Sequence, residues 1–316
     1  ANFACNRIDA GDLPAADAAL AQDAQLLAAY DVDMSSAGNM HAMRALVTLH
    51  RGLFSDALRE AEAGVETFRR VGSALLPRAR QRLAQVWWHL GQHARALQQL
   101  EAAAAEGVDE SLVGRVTQRW LRWECLRERG DAPTAPEALA ARAALASAVA
   151  ELDASWRPDL QLPLRLALLD DAEPEAALAI LAAIRAEATR IGHRGTLLAA
   201  HIRGAAIALR HDTAHAAELA QAALALHAQG VGTVALRPAE LWLHAGAALL
   251  AAGSEHEGRS VLDAGLRWLD DAVQTQLTPA QRDAFLYRNR VHAELRAQAA
   301  RSAQVASRGS MPRAPR

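Results

Sequence analysis

Apolar residues along this chain fall into blocks of helical period, separated by short polar turns. The stretch from Trp87 to Leu97 shows the unit. An apolar helix ends at Leu90, Gly91 turns the chain, and Ala96 lies one turn into the next helix. Glycine suits such a turn because it takes positive φ without steric cost. A small residue five positions later lets two helix backbones approach closely. The pair recurs as Gly11/Ala16, Gly52/Ala57, Gly91/Ala96, Gly130/Ala135, Asp171/Ala176, His211/Ala216 and Gly253/Gly258, after 41, 39, 39, 41, 40 and 42 residues. Four positions beyond each small residue stands an apolar one: Leu20, Ala61, Leu100, Leu139, Ile180, Ala220 and Leu262. That is one helix face repeated seven times. A period near 40 with two helices in each predicts an all-α chain, an α-solenoid of about seven helical hairpins.

The segment Trp242-Leu243-His244-Ala245-Gly246-Ala247-Ala248-Leu249 resembles the first helix of a tetratricopeptide repeat, with Ala and Leu at two of its pattern positions. The small residue of that helix is kept as Ala45, Ala84, Gly204 and Gly246, whereas Trp123 and Leu164 hold the place in units four and five. Packing there is expected to differ. The period is longer than the ~34 residues of a standard tetratricopeptide repeat. The resemblance covers residues 1–272 and implies a right-handed superhelix. Its first turn comes as early as Gly11, and Ala1-Asn2-Phe3-Ala4 is not the polar cap that solenoids need. The array is therefore expected to be truncated at its N-terminus.

Thr134-Ala135-Pro136-Glu137 and Ser254-Glu255-His256-Glu257 read as capping boxes. Trp156-Arg157-Pro158 and Leu162-Pro163 interrupt the pattern and predict a kink. Thr278-Pro279-Ala280-Gln281 opens a capping helix within 273–300, and residues 301–316, rich in Arg, Ser, Ala and Pro, read as a disordered tail. The stretch from Arg282 to His292, with Phe285 and Tyr287, resembles the closing helix of large bacterial signal-transducing ATPases and transcriptional activators that end in tetratricopeptide-like sensor arrays.

Composition narrows the chemistry. Hydrophobic residues make up 51% and aromatics only 4%, so alanine and leucine must do most of the packing. A net charge of −2 gives no general attraction to nucleic acid. All 34 basic residues are arginine, which excludes a Schiff-base lysine and a phosphate-loop lysine within this sequence. Cys5 and Cys125 fall three repeats apart, on the order of 50 Å at helix-packing distances. A disulfide needs roughly 7 Å, so free thiols and a reducing, cytoplasmic compartment are expected. No early stretch reads as a signal peptide, and no run of about 18 apolar residues suggests a membrane span.

No catalytic constellation stands out. His89/His93 and His211/His215 have helical i,i+4 spacing but lack the His-Glu-x2-His context of a zinc site. Gly230-Val231-Gly232 follows no strand and is not a dinucleotide fingerprint. Asp170/Asp171 and Asp270/Asp271 fall at helix ends, where carboxylates act as solvated caps. Neither an enzyme activity nor a metal or other cofactor is expected. The tetratricopeptide register implies a concave groove lined by Arg78, Gln81, Gln85, Trp88, Trp120, Glu124, Arg127, Gln161, Arg165 and His201, concentrated in units three to five, while Trp87 points into the stack. Aromatics with a few orienting polar groups suit recognition, and Arg165 could pair a carboxylate. The resemblance implies a sensor array that binds a protein or small ligand and controls an ATPase or DNA-binding module elsewhere in a parent chain. The alternative is a free-standing scaffold that binds partner peptides.

Overall fold

The structure, a computed structural model, describes residues 2–29, 34–107, 112–130, 135–154, 165–166, 169 and 173–309. These form fifteen α-helices and one π-helical turn. They are α1 (Asn2–Asp9), α2 (Leu13–Ala29), α3 (Met34–His50), α4 (Phe54–Arg70), α5 (Leu76–His89), α6 (His93–Glu106), α7 (Leu112–Arg129) and α8 (Pro136–Ala154) in the first half. The second half holds α9 (Pro174–Ile191), α10 (Arg194–Ala208), α11 (Thr213–Ala228), α12 (Glu240–Ala251), α13 (Glu255–Thr275), α14 (Pro279–Asp283), the π turn Ala284–Arg288 and α15 (Arg290–Gly309). Consecutive helices pack against each other, and the chain is all-α.

The small residues do what their spacing requires. Ala16, Ala57, Ala96 and Ala216 have no exposed surface, and five residues of the recurring apolar face (Leu20, Ala61, Leu100, Ala220, Leu262) are buried. A Cβ at Gly246 would lie 2.7 Å from Leu262 Cγ, so α12 and α13 touch through the missing side chain. In units four and five the expected face is wrong. Leu139 is 51% and Ile180 39% exposed. The buried stripe of α8 is Ala138, Ala141, Leu145 and Ala148, and that of α9 is Ala177, Leu181, Ile184 and Ala188. One residue of slip rotates a helix by about 100°, enough to turn a ruler residue into solvent. The expected kink at 156–163, Leu164 and the Thr134 capping box lie outside the described residues.

The turns at Gly11, Gly52 and Gly91 are not free edges. The Gly232 N–H donates to Gly11 O at 2.7 Å. A Cβ on Gly52 would meet Trp268 at 3.0 Å, and one on Gly91 would sit 2.2 Å from Ala284 O. The turn edge of the first three helix pairs is thus pressed on the second half of the chain. By contrast, nothing lies within 4 Å of where a Cβ would stand at Gly130 or Gly253. Phe54 carries the same seam into the core, edge-on to Phe285 at 5.0 Å and to Trp268 at 5.9 Å.

The chain's end differs from a single capping helix. Gln281 accepts from the Thr278 N–H at 3.0 Å as the capping box requires, but the helix it opens stops at Asp283 and passes through the π turn. Asn289 then starts α15 afresh. Its Oδ1 accepts from the backbone N–H of Val291 at 3.1 Å, while its Nδ2 donates to His89 O at 2.8 Å. One buried amide therefore caps the start of α15 and the end of α5 together. Helix α15 runs on to Gly309, into the segment read as a disordered tail. Ser254 sits at the start of α13 without a side-chain cap bond, so that expected box is not formed. Cys5 is exposed, Cys125 is buried, and neither is in a disulfide.

Candidate functional site

Four of the residues assigned to a groove are buried in the interior. Gln81, Gln85, Trp88 and Glu124 are each at most 7% exposed. Trp88 packs edge-on against Trp120 with centroids 5.3 Å apart. The wall formed by Gln85, Trp88, Trp120 and Glu124 is covered by the chain itself. The loop Val234–Arg237 and the start of α12 lie over it, and about 10 Å³ of space remains between them. That is barely one water. Arg127 is half-buried and grips Glu124 through Nη2, at 2.8 and 2.6 Å from its two carboxylate oxygens. Arg165 and His201 are partly buried, and Arg78 is exposed. Gln161 lies outside the described residues. Trp87 points inward as expected, with Arg95 stacked over its ring at 4.7 Å.

The covering loop carries the residue that organises this interior. Arg237 stacks over Trp88 at 4.3 Å, donates from Nη1 to Glu128 Oε2 at 3.0 Å, and ion-pairs through Nη2 with Oε1 at 2.8 Å. The Glu128 side chain has no exposed surface and that of Arg237 only 2%. Burial alone would raise the Glu128 pKa, but Arg237 and His93 bring it down to about 2. Burial also pushes Glu124 up, with Arg127 and Arg237 pulling against it. Glu240, one turn from Arg237, takes Arg203 at 3.2 Å. A bidentate arginine with a stacked aromatic face is the arrangement in which a buried charge is compensated.

Three histidines sit beside this pair. His50 and His89 meet edge-on at 5.2 Å, and His292 bonds Phe285 O through Nδ1 at 2.9 Å. Burial lowers the pKa of His50 to about 4 and that of His292 to about 3, and it drives His89 well below the ordinary range. All three are neutral at pH 7.

None of Arg237, Glu128, Asn289 or His292 was singled out from the sequence. Two signals were there to be read. Glu128 is one helical turn beyond Glu124, on the same face of α7. Arg237 and Glu240 bracket the entry to a helix that is otherwise nearly all apolar.

An open cavity lies on the other side of the same loop. It has a volume of about 350 Å³ and stands at the seam between the two halves of the chain. The first half contributes Leu13 and His50, and the second contributes Ile202, His227, Trp242 and Trp268. The two indoles lie 5.2 Å apart at 36°, and His227 stands edge-on to Trp242 at 6.0 Å. Burial lowers the His227 pKa, and the charged groups on the lining are Arg51 and Arg237, which pair with Asp17 and Glu128. Size and lining suit a small, largely apolar ligand. Among the described residues no group of three or more His, Cys, Asp or Glu is placed to hold a metal ion. No helix there is long and apolar enough to cross a membrane. Compared with known proteins, the chain matches no family model and no curated sequence.

Proposed function

We propose that this chain is a non-enzymatic recognition domain, the tetratricopeptide-like sensor part of a larger bacterial regulator, and that the seam cavity is where it takes a small apolar ligand. The observation that carries this reading is the cavity's double lining. A ligand between Leu13 and His50 on one side and Ile202, Trp242 and Trp268 on the other touches both halves. Binding to the closed arrangement alone shifts the population toward it, by linkage. Such a shift can be passed to a module joined to either end. The groove of units three to five, filled by the Val234–Arg237 loop, serves in this reading as the frame that holds the cavity wall.

A thermal-shift screen of apolar ring-bearing metabolites tests the site. Compounds that raise the melting temperature should lose their effect in Thr233→Trp, which places an indole at the cavity mouth. Equal stabilisation of both proteins would move the site elsewhere. The parentage has its own test in the reading frame upstream of Ala1. A phosphate-loop ATPase encoded there supports the sensor, and a start codon directly before Ala1 supports the free-standing scaffold.

A further inference from the structure

A second depression, of about 600 Å³, opens where the end of α7 meets the π turn and the start of α15. Its wall holds Arg127, Arg129, Arg288 and Arg290, with Tyr287 on the same wall. Two carboxylates line it as well. Glu128 is already bound by Arg237 at 2.8 Å, and Glu294 is exposed. Arg127 also holds Glu124, Arg129 is 3.5 Å from Glu137, and Arg290 Nε is 3.9 Å from Glu128. Arg288 is exposed and makes no ion pair among the described residues. An adjoining depression of about 420 Å³ shares Arg127, Arg290 and Glu294 with this one and adds Arg203, Arg210 and Glu240, the last paired with Arg203. In a chain whose net charge is −2, this is a local excess of cationic side chains.

Tyr287 gives the depression a second kind of chemistry. It is 61% exposed, whereas Phe54, Phe68 and Phe285 are buried. Arg296 stacks on it at 4.5 Å, which fixes the ring from one side. The π turn is what presents these groups. It sends Phe285 into the core with no exposed surface and leaves Tyr287 and Arg288 outside. Single π turns within helices often mark functional sites.

We propose that this depression binds a nucleotide, with its phosphates against Arg129, Arg288 and Arg290 and its base stacked on the ring of Tyr287. Arginine forks match phosphate oxygens in pairs. A held aromatic face accepts any planar base. The volume is within the ~300–1,000 Å³ usual for small-molecule sites. The site is separate from the seam cavity, with which it shares no lining residue.

Isothermal titration of the full chain with ADP, pyrophosphate and adenosine tests this. ADP should bind more tightly than either fragment, and less tightly as sodium chloride rises. Arg129→Ala with Arg288→Ala should weaken ADP at least tenfold, and Arg288→Lys should restore part of the loss. Tyr287→Leu should weaken ADP several-fold while leaving pyrophosphate unchanged. All three positions are exposed, so melting curves should match the parent. Thr233→Trp, at the seam cavity, should leave ADP binding intact, which keeps this site's fate independent of the sensor reading. Absence of ADP binding at millimolar concentration, or undiminished affinity in the double arginine variant, would overturn the proposal. Pyrophosphate binding as tightly as ADP would overturn the nucleotide assignment.

Discussion

Side-chain volume decides the closest contacts, and two glycines separate space from propensity. In a helix interior Gly→Ala ordinarily stabilises by roughly 1 kcal/mol. At Gly204 a Cβ would lie 2.9 Å from the terminal Leu219 Cδ1, which can swing aside. At Gly246 it would lie 2.7 Å from both Leu262 Cγ and Cδ2, with Gly258 O at 3.2 Å. Gly204→Ala should therefore be close to neutral, and Gly246→Ala should cost about 1–3 kcal/mol as overpacking does. Urea midpoints of the two variants compare them directly, and equal midpoints would mean that α12 and α13 are not held this close. The buried histidines make a second residue-scale prediction. His50 and His292 have folded pKa values of about 4 and about 3, and that of His89 is also depressed. Between these values and the unfolded value near 6.5, the unfolded chain binds protons that the native chain does not. Stability is thus full above pH ~6.5 and falls as pH drops toward 4, by on the order of 3 kcal/mol for His50 alone. A urea midpoint that stays flat from pH 7 to 5 would show that these rings are not held neutral.

At the scale of the element, helix ends are set by which partners are within reach, and less by the local signal for a cap. Asp212 caps α11 through the His215 N–H at 3.0 Å, although the sequence pattern there suggested only a turn. Ser254 has the residues of a box and does not use them. The last side chains of α15 described as buried lie well before its end. Leu295 and Ala299 are buried, while Arg301, Ala303 and Gln304 are exposed. Deleting residues 301–316 should leave the melting temperature unchanged, because no side chain described in that segment is buried. A fall of several degrees would place part of that segment against the body.

Across the whole molecule, the seam is the feature with consequences. Gly91 and Gly253 have similar positive φ, +70° and +86°, but only Gly91 faces another part of the chain, with Ala284 O 2.2 Å from a notional Cβ. Gly253→Ala should cost the left-handed backbone penalty, on the order of 1–2 kcal/mol. Gly91→Ala should cost clearly more, since the contact between the halves must open as well. Thermal unfolding of the pair reads the difference. Equal losses would mean that the turn edge is not packed on the π turn.

Helical class, the hairpin turns at Gly11, Gly52, Gly91 and Gly253, and the close approach at Gly246 could all be read from the sequence. They follow from short-range rules, namely φ at a turn and one small residue per helix crossing. The same rules failed at Leu139 and Ile180, because one residue of slip is invisible to a ruler that tolerates a varying period. They also placed Gln81, Gln85, Trp88 and Glu124 on one surface, and three of these, Gln85, Trp88 and Glu124, line one small space. What covers them could not be read. Arg237 reaches Glu128 across 109 residues, and Asn289 reaches His89 across 200. Such pairings leave no periodicity in either segment. The sequence by itself determined which faces are apolar and where the helices turn. Only the tertiary structure decided that the turn edge of the first half closes on the second, because that contact is a matter of complementary shape and compensated charge between distant segments.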